Sequence, residues 1–293
     1  MKKKITKAVI AAAGYGTRFI PATKNQPKEM LPIIDKPIIH YLVEEAVKAG
    51  IKDIILVTRS GQSSLEDYFD SNRELEHELE KSGKKKKLEE IKKIPKMANF
   101  IYVRQKGDLP YGNATPLLSV APIIDKEESF VYMFGDDLTV SEVPVVKQLI
   151  SVYEKYNAKA VLGVQKVSKK DVHKYGTVRY KKRASYRYEI EEACEKFSAE
   201  EAPSLMAVFG RFIFSYDVIE RALQTPLGKD NELWVIDILN SLAKSGEKVI
   251  AQPIEGEWHT TGDPLNYLKT SFTFALKRDD ISGDLRKYLR EKL

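Results

Sequence analysis

The sequence predicts an α/β protein built on an open, mostly parallel sheet with helices on both faces. In the first half of the chain, short runs of β-branched and aliphatic residues alternate with longer amphipathic stretches. That alternation is typical of repeated β-α units, in which each helix covers a face of the sheet. A β-rich stretch in the second half, with alternating tyrosines, predicts an added substrate cap.

The elements of the first half follow one another in a regular order. Strands are expected at residues 8–12, 53–58, 99–103 and 130–134, and helices at residues 37–49, 113–121 and 143–156. Pro37 suits the first turn of its helix, and Gly50 suits the left-handed position that ends it. Residues 1–157 are therefore interpreted as the core.

Two stretches depart from this alternation. Residues 71–96 are highly charged, with leucines at helical spacing, and are interpreted as a helical excursion outside the sheet. Residues 158–214 contain a strand pattern, a turn at Gly176 and the alternating tyrosines, and helical patterns return at residues 217–223, 233–244 and 265–277. Residues 158–277 would thus complete the sheet, and residues 278–293 would form a tail helix, all within one structural unit.

Composition narrows the class of protein. The chain has 293 residues, 43% of them hydrophobic, which is enough for a substantial core. Its single cysteine, Cys194, excludes an internal disulfide framework and a zinc site held by thiolates. The first apolar run is too short for a secretory signal, and no run reaches the ~18 apolar residues of a membrane span. We therefore expect a cytoplasmic protein without a membrane partner.

The charge balance does not indicate a nucleic-acid partner. There are 48 Lys and Arg against 42 Asp and Glu, a net charge of +6. The one dense basic run, residues 84–87, is flanked by glutamates and is typical of a solvated helix. A modest positive excess suits small phosphorylated substrates.

The clearest local signal is a glycine loop directly after the first strand. Gly14 and Gly16 allow backbone N–H groups to approach an anion, and Arg18 follows at once. The dinucleotide motif would need a third glycine at Phe19, and the P-loop would need Gly-Lys before Ser or Thr. The pattern thus predicts a phosphate site outside both of these classes.

Two further motifs carry charged side chains. Lys28 and Glu29 stand between Pro27 and Pro32, which fix the backbone on either side and indicate a positioned lysine. Asp136 follows the strand at residues 130–134, where open α/β sheets present metal-binding carboxylates, and it is our expected metal ligand. Its neighbour Asp137 suits a carboxylate that caps backbone N–H groups in a turn.

A series of motifs then makes a specific resemblance. The opening AAAGYGTRFIPATKNQPKEMLPIIDKPIIHYLVEEAVKAGI, followed in order by ILVTRSGQSSLEDYF, VRQKG, FGDDL, YGTV, EKF, VFGRFIF and TTGDPLNYLKT, resembles the bacterial UTP:glucose-1-phosphate uridylyltransferase (UDP-glucose pyrophosphorylase) family. The resemblance covers most of the chain. It implies a nucleotide-diphospho-sugar transferase fold, Mg²⁺ as cofactor, UTP and a sugar 1-phosphate as substrates, UDP-glucose as product, and a homo-oligomer, dimer or tetramer.

The resemblance also implies a role for each matching residue. Arg18, Lys28 and Lys196 would neutralise phosphate charge as catalytic residues, and Asp136 would hold the metal. Gly176 and Glu195 would contact the sugar. The nucleotide would be bound by Ala12, Ala13, Gly14, Gly16, Thr17, Glu29, Gln105 and Gly112, with the Gln105 amide facing the uracil edge.

Several positions depart from the family pattern on the base and sugar sides. They are Pro110, Phe197, Leu205, Trp234 and Thr260, the last standing where a carboxylate is usual. These departures keep two alternatives open: the same chemistry with another sugar or base, and a catalytically weak regulatory homologue that binds sugar nucleotide.

Overall fold

The fold is known from a computed structural model, which describes residues 4–194 and 200–292. Its strands are β1 (Lys7–Ala11), β2 (Pro32–Ile33), β3 (Lys36–Pro37), β4 (Asp53–Thr58), β5 (Asn99–Arg104), β6 (Ser129–Phe134), β7 (Asp137–Val140), β8 (Ala160–Lys166), β9 (Thr177–Tyr180), β10 (Ile190–Cys194), β11 (Met206–Ser215), β12 (Val249–Pro253) and β13 (Glu257–Thr260). Nine of them form one mixed sheet, and β2–β3 and β7–β13 form two small ribbons.

The sheet has a parallel half and a mixed half. Strands β5, β4, β1 and β6 lie side by side in parallel. Strand β11 pairs antiparallel with β6 and with β8, and β12 runs parallel to β8. Strands β9 and β10 extend the sheet beyond β11, so the β-rich stretch is continuous with the main sheet.

Helices cover both faces of the sheet. They are α1 (Ile38–Lys48), α2 (Ser64–Phe69), α3 (Arg73–Lys81), α4 (Lys85–Lys93), α5 (Thr115–Val120), α6 (Val145–Tyr156), α7 (Asp217–Ala222), α8 (Val235–Lys244), α9 (Pro264–Leu276) and α10 (Ser282–Lys292). Helices α1, α2 and α6 pack on one face, and α5, α7 and α8 on the other.

The two cores result from the period of two along each strand. In β4, Ile54 and Leu56 point into the core with α1, while Ile55 and Val57 point into the core with α5 and α8. A strand that is buried on both faces needs a continuous apolar run, and this is the pattern from which the strand was predicted. The predicted α/β fold with a mostly parallel arrangement is confirmed.

The charged stretch at residues 71–96 contains α3 and α4, which have no buried residue and lie outside the sheet as expected. The tail forms α10, and α2 was not expected, because six residues carry too little periodic signal. No helix in the described part of the chain is long and apolar enough to cross a membrane.

Candidate active site

The predicted phosphate, base and metal residues meet at one edge of the parallel sheet. Strands β1, β5 and β6 all end there, followed by the glycine loop, Gln105 and Asp136 respectively. The carboxyl ends of parallel strands are the usual place for ligands in such sheets. The predicted residues that line the cavity at this edge, about 380 Å³, are Ala13, Gly14, Gly16, Thr17, Arg18, Lys28, Glu29, Gln105, Gly112 and Asp136.

Ala12 is the predicted nucleotide residue that does not lie on this wall. Its side chain is fully buried, and its backbone N–H donates to the carbonyl of Val57 at 2.9 Å. The N–H is therefore committed to the sheet.

The glycine loop turns into a short 3₁₀ turn at Thr17–Phe19. Gly16 adopts a left-handed conformation with φ of 63°, which favours glycine. Arg18 is exposed, and its Nη1 donates to the carbonyl of Gly262 at 3.2 Å. A guanidinium in this place can meet the oxygens of a phosphate group.

Lys28 reaches Asp136 across the floor of the cavity. Lys28 lies in a 3₁₀ turn that begins after the extended Pro27, and its Nζ is 2.6 Å from Oδ2 of Asp136. Both side chains retain 21% exposure. Burial opposes both charges, but their mutual attraction prevails: it raises the pKa of Lys28 and lowers the pKa of Asp136 from their usual values. Both groups are therefore charged at neutral pH.

Glu29 is a buried carboxylate with unsatisfied oxygens. The residue is 1% exposed, and neither Oε1 nor Oε2 has a hydrogen-bond partner. The Nζ of Lys28 is 4.0 Å from Oε1, too far for a hydrogen bond. Burial raises the pKa of Glu29 to about 7. Because unsatisfied buried carboxylates are costly, Glu29 is a candidate acceptor for a ligand donor.

Three side chains that sequence reasoning missed form a stack at the cavity rim. Tyr15 and Tyr111 are 58% and 50% exposed, and their rings lie nearly parallel with centroids 6.1 Å apart. The guanidinium of Arg59 lies 4.7 Å from the Tyr15 centroid. The three residues come from loops after β1, β4 and β5, so nothing in their local sequence signals that they meet.

A second cavity of about 540 Å³ adjoins the first. Its wall includes Gly176, the predicted sugar contact, together with Lys174 and Thr260. The residues common to the two walls are Arg18, Asn113, Phe134, Asp136, Trp234 and Gly262. The cavities therefore meet beside Asp136 and Arg18.

The other residues singled out on the base and sugar sides lie either outside the described residues or away from the cavity walls. Glu195, Lys196 and Phe197 lie outside the described residues. Leu205 is not on the wall of either cavity, and its carbonyl accepts the N–H of Val167 at 2.9 Å. Pro110 is also absent from both walls. Its lack of an N–H therefore removes no donor from the wall of either cavity.

The acidic residues near the site fit a metal with few protein ligands. Within residues 4–194 and 200–292, no group of three or more His, Cys, Asp or Glu side chains could hold an ion. Asp136 lines both cavities, whereas Asp263 lines only the second and also caps α9, accepting from the backbone N–H of Asn266 at 3.0 Å. Mg²⁺ usually keeps several waters and takes one or two carboxylates plus phosphate oxygens, and the Asp136 carboxylate at the junction of the two cavities fits such a site.

Taken together, the mixed α/β sheet and the two adjoining cavities at the carboxyl ends of its parallel strands are typical of α/β proteins that bind nucleotides. Comparison with known proteins makes this assignment specific. Residues 7–275 match the nucleotidyl transferase family. The chain is 42% identical over 291 residues to a UTP–glucose-1-phosphate uridylyltransferase of Bacillus subtilis, covering 99% of this chain and 96% of the relative.

Solved structures agree with this match. The fold superposes with a TM-score of 0.88 on the UTP-bound UDP-glucose pyrophosphorylase of Acinetobacter baumannii, at 32% identity and over 98% of this chain and 99% of that one. It also superposes with a TM-score of 0.83 on a UDP-glucose pyrophosphorylase complexed with UDP-glucose, at 37% identity and over 94% of this chain and 100% of that one. The chain belongs to the nucleotidyl transferase family, within its group of UTP–glucose-1-phosphate uridylyltransferases.

Proposed function

We propose that the protein transfers a uridylyl group from UTP to glucose 1-phosphate, giving UDP-glucose and pyrophosphate. The observation that carries the proposal is the junction of the two cavities at Arg18 and Asp136. A nucleoside triphosphate in the first cavity and a sugar phosphate in the second would bring their phosphates together at this junction. The names of the full-length relatives indicate the same pair of substrates.

The reaction needs positioned charge rather than a protein nucleophile. A phosphate oxygen of glucose 1-phosphate attacks the α-phosphorus of UTP, a new P–O bond forms, and the bond to the bridging oxygen of the β-phosphate breaks. Pyrophosphate leaves with the electron pair. Arg18 and Lys28 would stabilise the charge on the reacting and departing oxygens, which is the main contribution of proteins to phosphorus transfer.

Mg²⁺ is proposed as the cofactor, with Asp136 as its protein ligand. When bound, the ion would neutralise phosphate charge and align the phosphates. The Lys28 ammonium is already 2.6 Å from that carboxylate, so the two positive groups would act on the same phosphates.

The nucleoside end of the first cavity offers donors and acceptors for a base and a ribose. The Gln105 amide is proposed to read the uracil edge, since it supplies both a donor and an acceptor. Glu29 is proposed to accept a hydrogen bond from the nucleoside, because its two oxygens are buried and have no hydrogen-bond partner in the protein. Gly112 would allow close approach of the base.

On the sugar side, Gly176 is proposed to contact the hexose, with Glu195 accepting from hydroxyls and Lys196 binding the sugar phosphate. Trp234 lines both cavities, and its indole Nε1 donates to the carbonyl of Lys229 at 3.1 Å. An indole beside the sugar favours a second candidate, the same chemistry with another hexose 1-phosphate, because aromatic rings contact apolar sugar faces without reading each hydroxyl.

The remaining features of the proposal concern setting and assembly. We place the protein in the cytoplasm, acting on small phosphorylated substrates without nucleic acid, and we assign sugar binding to residues 158–277. We further propose a dimer or tetramer, since Leu265, Leu268 and Phe272 are exposed on α9. Light scattering of the purified protein measures the assembly.

A pyrophosphate-release assay tests the function. The protein is supplied with Mg²⁺ and each combination of UTP, dTTP, CTP, ATP or GTP with glucose, galactose, mannose or N-acetylglucosamine 1-phosphate. We expect UTP with glucose 1-phosphate to give the highest kcat/KM. Release only with another sugar supports the second candidate, and nucleotide binding without release with any pair supports a regulatory role instead.

A further inference from the structure

A fully buried arginine lies beneath the cavity floor. Arg211, on β11, is 0% exposed. Its Nε lies 3.2 and 3.1 Å from the two carboxylate oxygens of Glu45, and its Nη2 is 2.8 Å from Oε2 of the same residue. Two carbonyls complete its partners: Gly210 accepts from Nη1 at 2.8 Å and Asp137 from Nη2 at 2.5 Å. The guanidinium is held in one orientation.

The carboxylate of Glu45 is equally well satisfied. Besides Arg211, it accepts from the backbone N–H of Val146 at 3.2 Å and from Oγ1 of Thr139 at 2.9 Å. The pair thus joins α1, α6, β7 and β11. Compared with apolar residues of similar volume, a buried ion pair often gives no net stability, because removing both charges from water is costly. The main effect of this ion pair is therefore to fix the positions of the backbone segments that it joins.

Arg211 fixes the position of Asp137. The Asp137 carbonyl is held by Arg211, Oδ2 accepts from the N–H of Gly210 at 2.8 Å, and Oδ1 accepts from Nε1 of Trp258 at 2.7 Å. A Cβ at Gly210 would come within 2.8 Å of Oδ2, so this close approach requires a glycine. Asp137 therefore fills the structural role expected of it, because both carboxylate oxygens and the carbonyl accept hydrogen bonds within the protein.

The backbone is consequently held at two successive carbonyls, those of Asp136 and Asp137. The carbonyl of Asp136 accepts from the N–H of Thr261 at 2.7 Å and from its Oγ1 at 2.8 Å. The Asp136 carboxylate itself contacts Lys28 and faces the junction of the two cavities. Its direction depends on the backbone on which it stands.

We infer that Arg211 is a positioning residue for the reaction. By anchoring the Asp137 carbonyl, it aims the Asp136 carboxylate at the place where the phosphates meet. This inference rests on the proposed function, in which Asp136 holds Mg²⁺. Groups that orient a metal ligand typically change metal affinity or activity about 10- to 100-fold when they are removed.

The test separates positioning from stability with a double variant. Arg211→Met with Glu45→Leu replaces the buried pair by apolar side chains of similar size, which should restore most of the stability that either single change loses. It cannot restore the bond to the Asp137 carbonyl. The matched control is Lys7→Met with Glu128→Leu, which removes a 2.6 Å ion pair at the opposite end of β1.

Three quantities are measured for each variant: the melting temperature, the Mg²⁺ concentration that half-saturates turnover, and Mn²⁺ binding in the presence of UTP by electron paramagnetic resonance. We expect the double variant to bind Mn²⁺ about tenfold more weakly and to need about tenfold more Mg²⁺. The control pair should leave both metal readouts unchanged. Wild-type metal dependence in the folded double variant overturns the inference.

A second variant decides the matter if the double variant does not fold. Arg211→Lys keeps a charge opposite Glu45 but lacks the planar fork that reaches two carbonyls and a carboxylate at once. It should also shift the metal requirement, and a normal requirement counts against positioning. If the wild type does not release pyrophosphate, the proposed function itself fails, and if Asp136→Asn retains Mn²⁺ binding, the assignment of Asp136 as the metal ligand fails. Both results are distinct from the failure of Arg211.

Discussion

The ammonium of Lys28 lies 2.6 Å from Oδ2 of Asp136, although the two residues are 108 positions apart in the chain. The contact joins the proline-bounded turn after β1 to the end of β6, and both side chains face the same cavity. It places a fixed positive charge beside the one carboxylate proposed to hold Mg²⁺. The ammonium of Lys28 and the carboxylate of Asp136 are thus held in position by their contact with each other.

Asp136→Asn should reduce turnover by at least about 100-fold, because the amide keeps the shape but loses the charge that attracts Mg²⁺. Since Lys28 loses its ion-pair partner, the melting temperature should also fall by a few degrees. Steady-state kinetics and thermal denaturation measure the two effects. Asp284→Asn, at an exposed position of α10, is the control. Near-normal turnover at ordinary Mg²⁺ would remove Asp136 from the site.

Glu29→Gln should stabilise the protein while weakening UTP binding. The pKa of Glu29 is about 7 in the folded protein and near 4.5 when unfolded, so its ionisation destabilises the fold progressively between these values. The gain in melting temperature should therefore be largest above pH 7 and disappear near pH 4.5. UTP affinity should fall several-fold, by loss of an acceptor.

Melting curves from pH 4.5 to 8.5 and calorimetric UTP titrations check this expectation for Glu29. Glu90→Gln, on the exposed surface of α4, is the matched control and should show neither effect. Unchanged UTP affinity with increased stability would mean that Glu29 does not contact the nucleotide.

Tyr111→Ala should weaken UTP binding by about three- to tenfold, whereas Tyr111→Phe should not. Tyr111 stacks on Tyr15 at the rim of the first cavity, where UTP is proposed to bind, and losing an aromatic pair costs about 0.5 to 1.5 kcal/mol. The phenol oxygen plays no part in the stack, so phenylalanine keeps it. Equilibrium UTP binding measures the effect, and equal losses in both variants would indicate a hydroxyl contact instead.

Trp234 should govern the choice of sugar more than Leu205 does. The indole lines both cavities, while Leu205 lies on neither wall. Trp234→Gln should change the ratio of kcat/KM for glucose 1-phosphate to that for galactose 1-phosphate several-fold. Leu205→Asn, the paired control, should leave the ratio unchanged. A shift with Leu205→Asn alone would place that side chain at the sugar.

Glu44→Gln should lower stability at neutral pH but not in acid. The hydrogen bond with His40 Nε2, 2.9 Å away, and the Lys36 ammonium at 2.7 Å lower the pKa of Glu44 to about 2. A carboxylate with a lowered pKa stabilises the fold above its unfolded value, near 4.5, and loses that effect as pH falls toward 2. Melting temperatures of both proteins from pH 7 to 3 should converge as the pH decreases.

The local sequence was sufficient to predict the fold and to select most of the residues that line the first cavity and are proposed to bind phosphate. Continuous apolar runs predicted β1, β4 and β6, because a strand covered on both faces has no polar face to interrupt the pattern, whereas β5 is a half-exposed edge strand that was predicted from its β-forming residues. Glycines and prolines around Gly14 and Lys28 indicated positioned backbone, since these residue types restrict or release backbone angles directly. Such signals come from residues that are adjacent in the sequence.

Contacts between distant segments could be known only from the tertiary structure. Arg211 lies in an apolar strand, 166 residues from Glu45, and nothing near either residue reveals the pair. The Tyr15–Tyr111 stack and the capping role of Asp137 likewise depend on how loops from different strands converge. Sequence patterns report the periodicity of one element, whereas the partners of a buried charge are set by packing between elements. The sequence by itself therefore determined the strands and the edge of the sheet at which the predicted site residues meet, and the tertiary structure decided which side chains hold that edge in place.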